Sequence, residues 1–159
     1  MKKSVEFDPA SAEAAKKRAL WLLDKRDYSR AELLRKLTEK GYTAAAAGSA
    51  LDRLEELGFV DDARYAPIVA RHYAAKGYGA RRVQQELQRR GIPKELWDAA
   101  LEEMPAQDDT VDKLLRAKLR GADPGDRAAL KRATDALLRK GYGWDDISAA
   151  VERVREENI

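Results

Sequence analysis

Cysteine is absent from this 159-residue chain and histidine occurs once, as His72. That excludes a disulfide framework, a thiolate metal site, a cysteine nucleophile and any site built from two histidines. Long apolar runs are missing too. No stretch approaches the roughly eighteen apolar residues of a membrane helix, and Met1 to Pro9 has no apolar segment of signal-peptide kind, so a cytoplasmic protein without membrane contact is expected. Charge of one sign is not dominant, because 31 Lys and Arg face 28 Asp and Glu for a net charge of +3. Total charge therefore does not announce a nucleic-acid binder, and the distribution has to be examined. No phosphate-cradling glycine loop leads into Lys-Ser or Lys-Thr, and no serine has a plausible base. Neither an enzyme nor a cofactor is expected.

What the chain does contain is a repeat. Gly41, Gly91 and Gly141 stand fifty residues apart, and each closes a phrase that begins at Leu37, Leu87 or Leu137 and ends in cationic residues. Glycine after a cationic helical turn suits a left-handed C-cap, since it accepts positive φ and the cations complement the helix dipole. The register continues through Leu51, Leu101 and Val151, through Leu54, Met104 and Val154, and through Tyr28 and Tyr78. With 44% apolar and 37% charged residues, the chain reads as all-α, built from tandem repeats of three-helix units, three in number, forming an elongated and curved monomer.

In chain order, residues 1–10 are a polar leader, and residues 11–58, 59–105 and 106–159 are the three units. Ser11 to Lys25 reads as a helix, with Leu20, Leu22 and Leu23 around Trp21. Ser29 and Glu32 form a capping box, Tyr28 can staple onto Leu33, and Leu33, Leu34 and Leu37 face inward. Thr43 opens a third helix with Ala47, Leu51 and Leu54 as its buried stripe. Asp61 and Asp62 offer caps to the next helix, whose apolar members include Tyr65, Ile68, Val69 and Tyr73, and Pro67 predicts a kink or a helix start there. Pro93 belongs to the first turn of a helix carrying Trp97, Leu101 and Met104. A helix from about Thr110 to Leu119 precedes a Gly/Pro-rich connector, Gly121 to Gly125, an insertion in the repeat.

Arg26, Asp27, Tyr28, Ser29, Glu32, Leu33, Lys36, Leu37 and Gly41 form a spaced motif, followed by Gly58, Phe59, Val60, Asp61, Asp62, Arg64, Tyr65 and Ala66. In both, the chain resembles the RecX regulatory family. The match continues through Lys76, Gly77, Leu87, Gly91 and Ile92, then through Lys140, Gly141 and Tyr142, covering roughly Ala12 to the end. The resemblance implies tandem three-helix repeats in a cytoplasmic bacterial modulator of the RecA recombinase. Such a protein binds RecA filaments on single-stranded DNA and generally limits their extension and activity, in recombination, DNA repair and the SOS response.

The charges are locally uneven. Between Arg71 and Arg90 stand Arg71, Lys76, Arg81, Arg82, Arg89 and Arg90 against the single acid Glu86. Arg82, Gln85 and Arg89 fall on one helical face, a set suited to phosphate oxygens or an acidic partner groove. Arg35, Lys36 and Lys40 add to this from the first unit, and Arg132, Arg139 and Lys140 from the third. The alternative is the solvated face of any amphipathic helix. Trp21, Trp97 and Trp144 could stack bases, although Trp97 at a stripe position reads as core. The pairs Asp61–Asp62 and Asp145–Asp146 stand where helix capping accounts for them, and His72 reads as surface.

Two non-enzymatic readings compete: a regulator laid along a RecA filament, with weak direct DNA binding, and a helix-turn-helix-like transcription regulator reading duplex DNA. Three repeated units and no evident dimerisation segment favour the filament reading.

Overall fold

The computed structural model describes residues 6–158; residues 1–5 of the expected leader, and the last residue, lie outside the described residues. Among the described residues the chain is all helical. It forms α1 (Ala12–Lys25), α2 (Arg30–Lys40), α3 (Ala44–Glu56), α4 (Asp62–Ala75), α5 (Ala80–Arg89), a 3-10 turn (Lys94–Leu96), α6 (Trp97–Glu102), α7 (Asp108–Leu119), α8 (Arg127–Arg139) and α9 (Trp144–Glu157). The contacts divide it into two compact units. One is the chain to Ala66 together with Gln88–Leu96, and the other is Pro67–Leu87 together with the chain from Trp97 onward.

In the first unit, local chemistry sets the helix ends. Ser11 caps α1 by accepting from the Ala14 amide, and Thr43 caps α3 by accepting from Ala46. At α2 the full capping box is present, with Ser29 accepting from the Glu32 amide and the Glu32 side chain accepting from the Ser29 amide. The core joins Leu33 and Leu37 of α2 to Leu51 and Leu54 of α3, with Ala15 and Ala19 of α1 against the alanines of α3. Each fully buried leucine contributes about 1.5–3 kcal/mol of transfer free energy. Leu20, Leu23, Tyr28 and Leu34 are only partly buried and pack around this core.

In the second unit α7, α8 and α9 enclose Val111, Leu115, Leu119, Ala133, Leu137, Tyr142, Ile147 and Val151. The expected helix from Thr110 begins earlier, at Asp108. After the Gly121 to Gly125 connector, Asp126 caps α8 by accepting from Ala128 and Ala129.

The repeated phrase ends its helices as expected. Gly41, Gly91 and Gly141 have φ of 116°, 69° and 96°. At the first, the Gly41 amide donates to Thr38 and that of Tyr42 to Leu37; at the third, Gly141 donates to Leu138 and Tyr142 to Leu137. These are Schellman closures, in which a buried tyrosine packs back over the helix it ends.

Several expectations need correction. No helix starts at Pro67: α4 is continuous from Asp62 to Ala75, with Pro67 inside it. Asp61 caps it by accepting from Arg64, which fixes the start upstream of the proline. Ile68 is 37% exposed, while Ala66, Val69 and Ala70 form the buried stripe. Pro93 precedes a 3-10 turn, so α6 is shorter than its counterparts. Trp97 is half-buried at its start rather than enclosed in the core. Asp145 and Asp146 lie in the first turn of α9 and make no side-chain cap bond, so they act through the helix dipole.

Candidate functional site

Within each unit, the start of one helix packs on a glycine that ends another. In the first unit, the Ser29 hydroxyl donates to the Arg90 carbonyl, and a Cβ built on Gly91 would fall 2.4 Å from the Ala31 Cβ. In the second, the Gly79 amide donates to Lys140 (2.9 Å) and the Arg81 amide to Gly141 (3.0 Å). The amides that open one helix thus satisfy carbonyls left over at the end of another. The glycines serve twice, as left-handed caps and as places where backbones meet.

Around these joints sit the basic residues. In the first unit, Arg90 donates to the Tyr65 hydroxyl at 2.7 Å, with Arg26 on the same oxygen at 3.5 Å. Burial pushes the Tyr65 hydroxyl pKa up, and the nearby Glu32 charge adds to the effect. Asp62 is not a cap for its own helix. Its carboxylate accepts from the Arg30 amide at 2.9 Å, completing the first turn of α2, and burial raises its pKa. Arg30 bridges Asp52 at 2.9 Å and Glu55 at 3.0 Å. Burial opposes the Arg30 charge, but the bonds and charges of Glu55 and Asp52 outweigh it and raise the pKa. Arg35 is exposed, 3.9 Å from Glu39, and Lys36 approaches the Tyr28 ring at 5.6 Å. Arg89 is exposed.

In the second unit, the Tyr78 ring has Arg82 at 5.0 Å and Lys140 at 4.8 Å. Arg82 also pairs with Glu86 at 3.4 Å. Glu86, the lone acid of the basic stretch, is only 4% exposed and accepts from the Tyr73 hydroxyl at 3.0 Å. Tyr142 donates to the Gly77 carbonyl at 2.7 Å. Arg71 is tied to Glu103 at 2.9 Å and Lys76 lies 5.8 Å from the Tyr73 ring, while Arg81, Arg132 and Arg139 are exposed.

The proposed cations therefore separate by role. Arg82, Arg90 and Lys140 hold tyrosines, carboxylates or carbonyls of the fold, so the expected face of Arg82, Gln85 and Arg89 is not uniformly free. Arg81, Arg132 and Arg139 present guanidinium groups to solvent, and Arg89 is exposed as well.

One feature of the second unit was not anticipated. Between α8 and α9 runs a groove of about 510 Å³ floored by Leu130, Thr134 and Val151, with Trp144 as a wall and Arg127 and Arg155 on its margin. Trp144 is 57% exposed. The signal lay in the repeat register, which sets Leu130 opposite Arg30 and Arg155 opposite Glu55.

Helices repeated in register, closed by Schellman glycines and joined end to start, define an all-α helical-repeat protein. The description of the first RecX three-helix domain matches residues 15–54, and that of the second matches residues 61–101. The regulatory protein RecX of Trichlorobacter lovleyi is 40% identical over 141 residues, covering 85% of this chain and 92% of its own. That of Stenotrophomonas maltophilia is 38% identical over 134 residues, covering 84% and 82%. The chain belongs to the RecX family. In fold, the crystal structure of RecX from Lactobacillus salivarius is similar at a TM-score of 0.83 and 20% identity, covering 93% of this chain and 97% of that one. Among the described residues, no helix is long and apolar enough to cross a membrane.

Proposed function

We propose that this chain is a non-enzymatic, cytoplasmic regulator that binds RecA filaments on single-stranded DNA and limits their extension, ATPase and strand exchange. Kinship with proteins named as RecX regulators over 85% of the chain carries the reading. The exposed guanidinium groups of Arg81, Arg132 and Arg139 supply a surface that suits acidic or phosphate-lined partners. Arg71, Lys76, Arg35 and Lys36 are secondary contributors, because each is already near a carboxylate or ring of its own unit.

A helix-turn-helix reader of duplex DNA fits less well. Such a reader needs several side chains of one helix free for base edges. On α5, Arg82 is committed to Glu86 and Tyr78. The decisive experiment is RecA ATPase on single-stranded DNA with and without this protein. Suppression that scales with the protein, and no nucleotide hydrolysis by the protein alone, is expected. Unchanged ATPase and strand exchange at saturating protein would overturn the reading.

A further inference from the structure

The repeat provides an internal control for the α8–α9 groove. In the first unit, the corresponding space between α2 and α3 is filled by the chain itself: the Arg30 side chain bridges Asp52 and Glu55. In the second unit the register places Leu130 where Arg30 stands, and Leu130 is too short and too apolar to bridge anything. Of the two carboxylates that hold Arg30, one has reversed sign, with Arg155 for Glu55, and one has kept it, with Glu152 for Asp52, while Arg127 stands in register with Asp27. What filled the first groove was an apolar stem ending in a charge opposite to its margin. The filler that suits the second is apolar below and carries carboxylates where it meets Arg127 and Arg155.

Two further observations point to an external occupant. The other ring that is similarly exposed on a helix, Trp21 at 49%, is covered by Arg18 at 4.4 Å and Lys25 at 4.7 Å. Among the described residues no cation covers Trp144, and neither Arg127 nor Arg155 makes an ion pair, whereas Lys131 is tied to Asp135 at 2.9 Å. The groove thus offers an open aromatic face, an apolar floor and two uncompensated guanidinium groups. Asp135 and Glu152 also line it, which disfavours a run of phosphates and favours a polypeptide that can place its carboxylates selectively.

We propose that the α8–α9 groove is a docking site for an acidic, apolar-bearing segment of a protein partner. An apolar side chain of that segment lies on Leu130 and Val151 against the Trp144 ring, and its flanking carboxylates meet Arg127 and Arg155. This is the helix-in-groove mode, in which apolar anchors supply affinity and the charged margin supplies selection.

The test follows the tryptophan indole N–H signals of the full chain by nitrogen-labelled NMR, with Trp144 assigned through Trp144→Phe. Three probes are added in turn: a helical peptide with leucines on one face and glutamates elsewhere, the same peptide with lysines for glutamates, and oligothymidylate. The glutamate peptide is expected to move the Trp144 signal and leave that of Trp21 in place. The double variant Arg127→Glu with Arg155→Glu should weaken that peptide about tenfold or more and gain affinity for the lysine peptide, while melting like the parent. Loss of the glutamate peptide with no gain for the lysine peptide would show a groove merely disturbed by the reversal and would overturn selection by Arg127 and Arg155. If the double variant binds the glutamate peptide as tightly as the parent, or if no probe moves Trp144, the proposal is overturned. An oligothymidylate shift at Trp144 as large as the peptide's would make the groove a base-stacking platform and equally overturn it.

Discussion

Gly141 lies so close to the first turn of α5 that a Cβ built on it would fall 2.5 Å from the Arg82 amide nitrogen and 2.6 Å from the Arg82 Cβ. The neighbours on that side are backbone, which cannot swing away as a long side chain can. A position chosen for its left-handed φ has therefore acquired a second constraint, that nothing may project from it. The two constraints can be separated by mutation, because Gly121 has a comparable φ of 82° but no neighbour within 4 Å.

Gly121→Ala should cost about 1 kcal/mol, the strain of a left-handed alanine alone. Gly141→Ala should cost clearly more, about 2 kcal/mol or above, because overpacking adds to the strain. Chemical denaturation of the two variants checks the difference, and equal costs would mean that the α5 start gives way freely. Gly48, inside α3 with open space around it, should behave oppositely. Gly48→Ala is expected to stabilise by about 0.5–1 kcal/mol, since it removes only the entropic penalty of a helical glycine.

Leu37, Leu87 and Leu137 are fully buried at equivalent register positions. Each change to alanine should cost about 2–5 kcal/mol, with the spread set by how far each surrounding core can collapse. Thermal melts of the three variants decide it. Three near-neutral results would break the equivalence of these positions.

Much of this was legible in the sequence for a local reason. Capping boxes, Schellman glycines and i, i+3, i+4 stripes are short-range patterns, and they located Ser29, Thr43, Gly41, Gly91 and Gly141 without tertiary information. Long-range commitments were not legible. Asp62 reads as a helix cap because it stands before a helix, yet its carboxylate serves the Arg30 amide of α2. Arg82 reads as a surface cation because its neighbours in sequence are cationic, yet the buried Glu86 holds it. Pro67 reads as a kink or a helix start, and although it removes the bond to the Ala63 carbonyl, the helix starts upstream at Asp62 and continues through it. The groove at Trp144 escaped because an unfilled space leaves no pattern in one segment; only the comparison of Arg30 with Leu130 discloses it.

Asp62 makes a prediction about pH. Burial raises its pKa above the ordinary carboxylate value, so the folded state holds this proton more tightly than the unfolded chain does. By linkage, the Asp62 contribution favours folding at pH below its raised folded pKa and is lost as pH rises through that value. Asp62→Asn keeps an oxygen that can accept from the Arg30 amide and removes the titration. The variant should melt at or above the parent temperature at neutral pH, and its advantage should shrink in mildly acidic buffer. Melts at the two pH values test this, and a variant less stable at neutral pH would show that the charge itself holds the first turn of α2.

The same separation of roles governs how the basic residues should be tested for partner binding. Reversing Arg82 would set a new carboxylate against Glu86 and remove one of the two cations at the Tyr78 ring, leaving Lys140. A loss of RecA inhibition in Arg82→Glu would then report misfolding as readily as lost contact, since the buried Glu86 would lose its cation and face a like charge. Arg81 is its neighbour but turns to solvent; its role in the fold is carried by its amide on the Gly141 carbonyl, which glutamate at that position retains. Arg139 is likewise exposed. The expected result is that Arg81→Glu with Arg139→Glu melts like the parent, requires severalfold more protein to suppress RecA ATPase on single-stranded DNA, and shows a flatter salt dependence of binding, because fewer counterions are released. Arg82→Glu should instead lower the melting temperature. If the double variant suppresses ATPase at the parent concentration, the contact lies on other cations, with Arg89 and Arg132 the next exposed guanidinium groups to reverse.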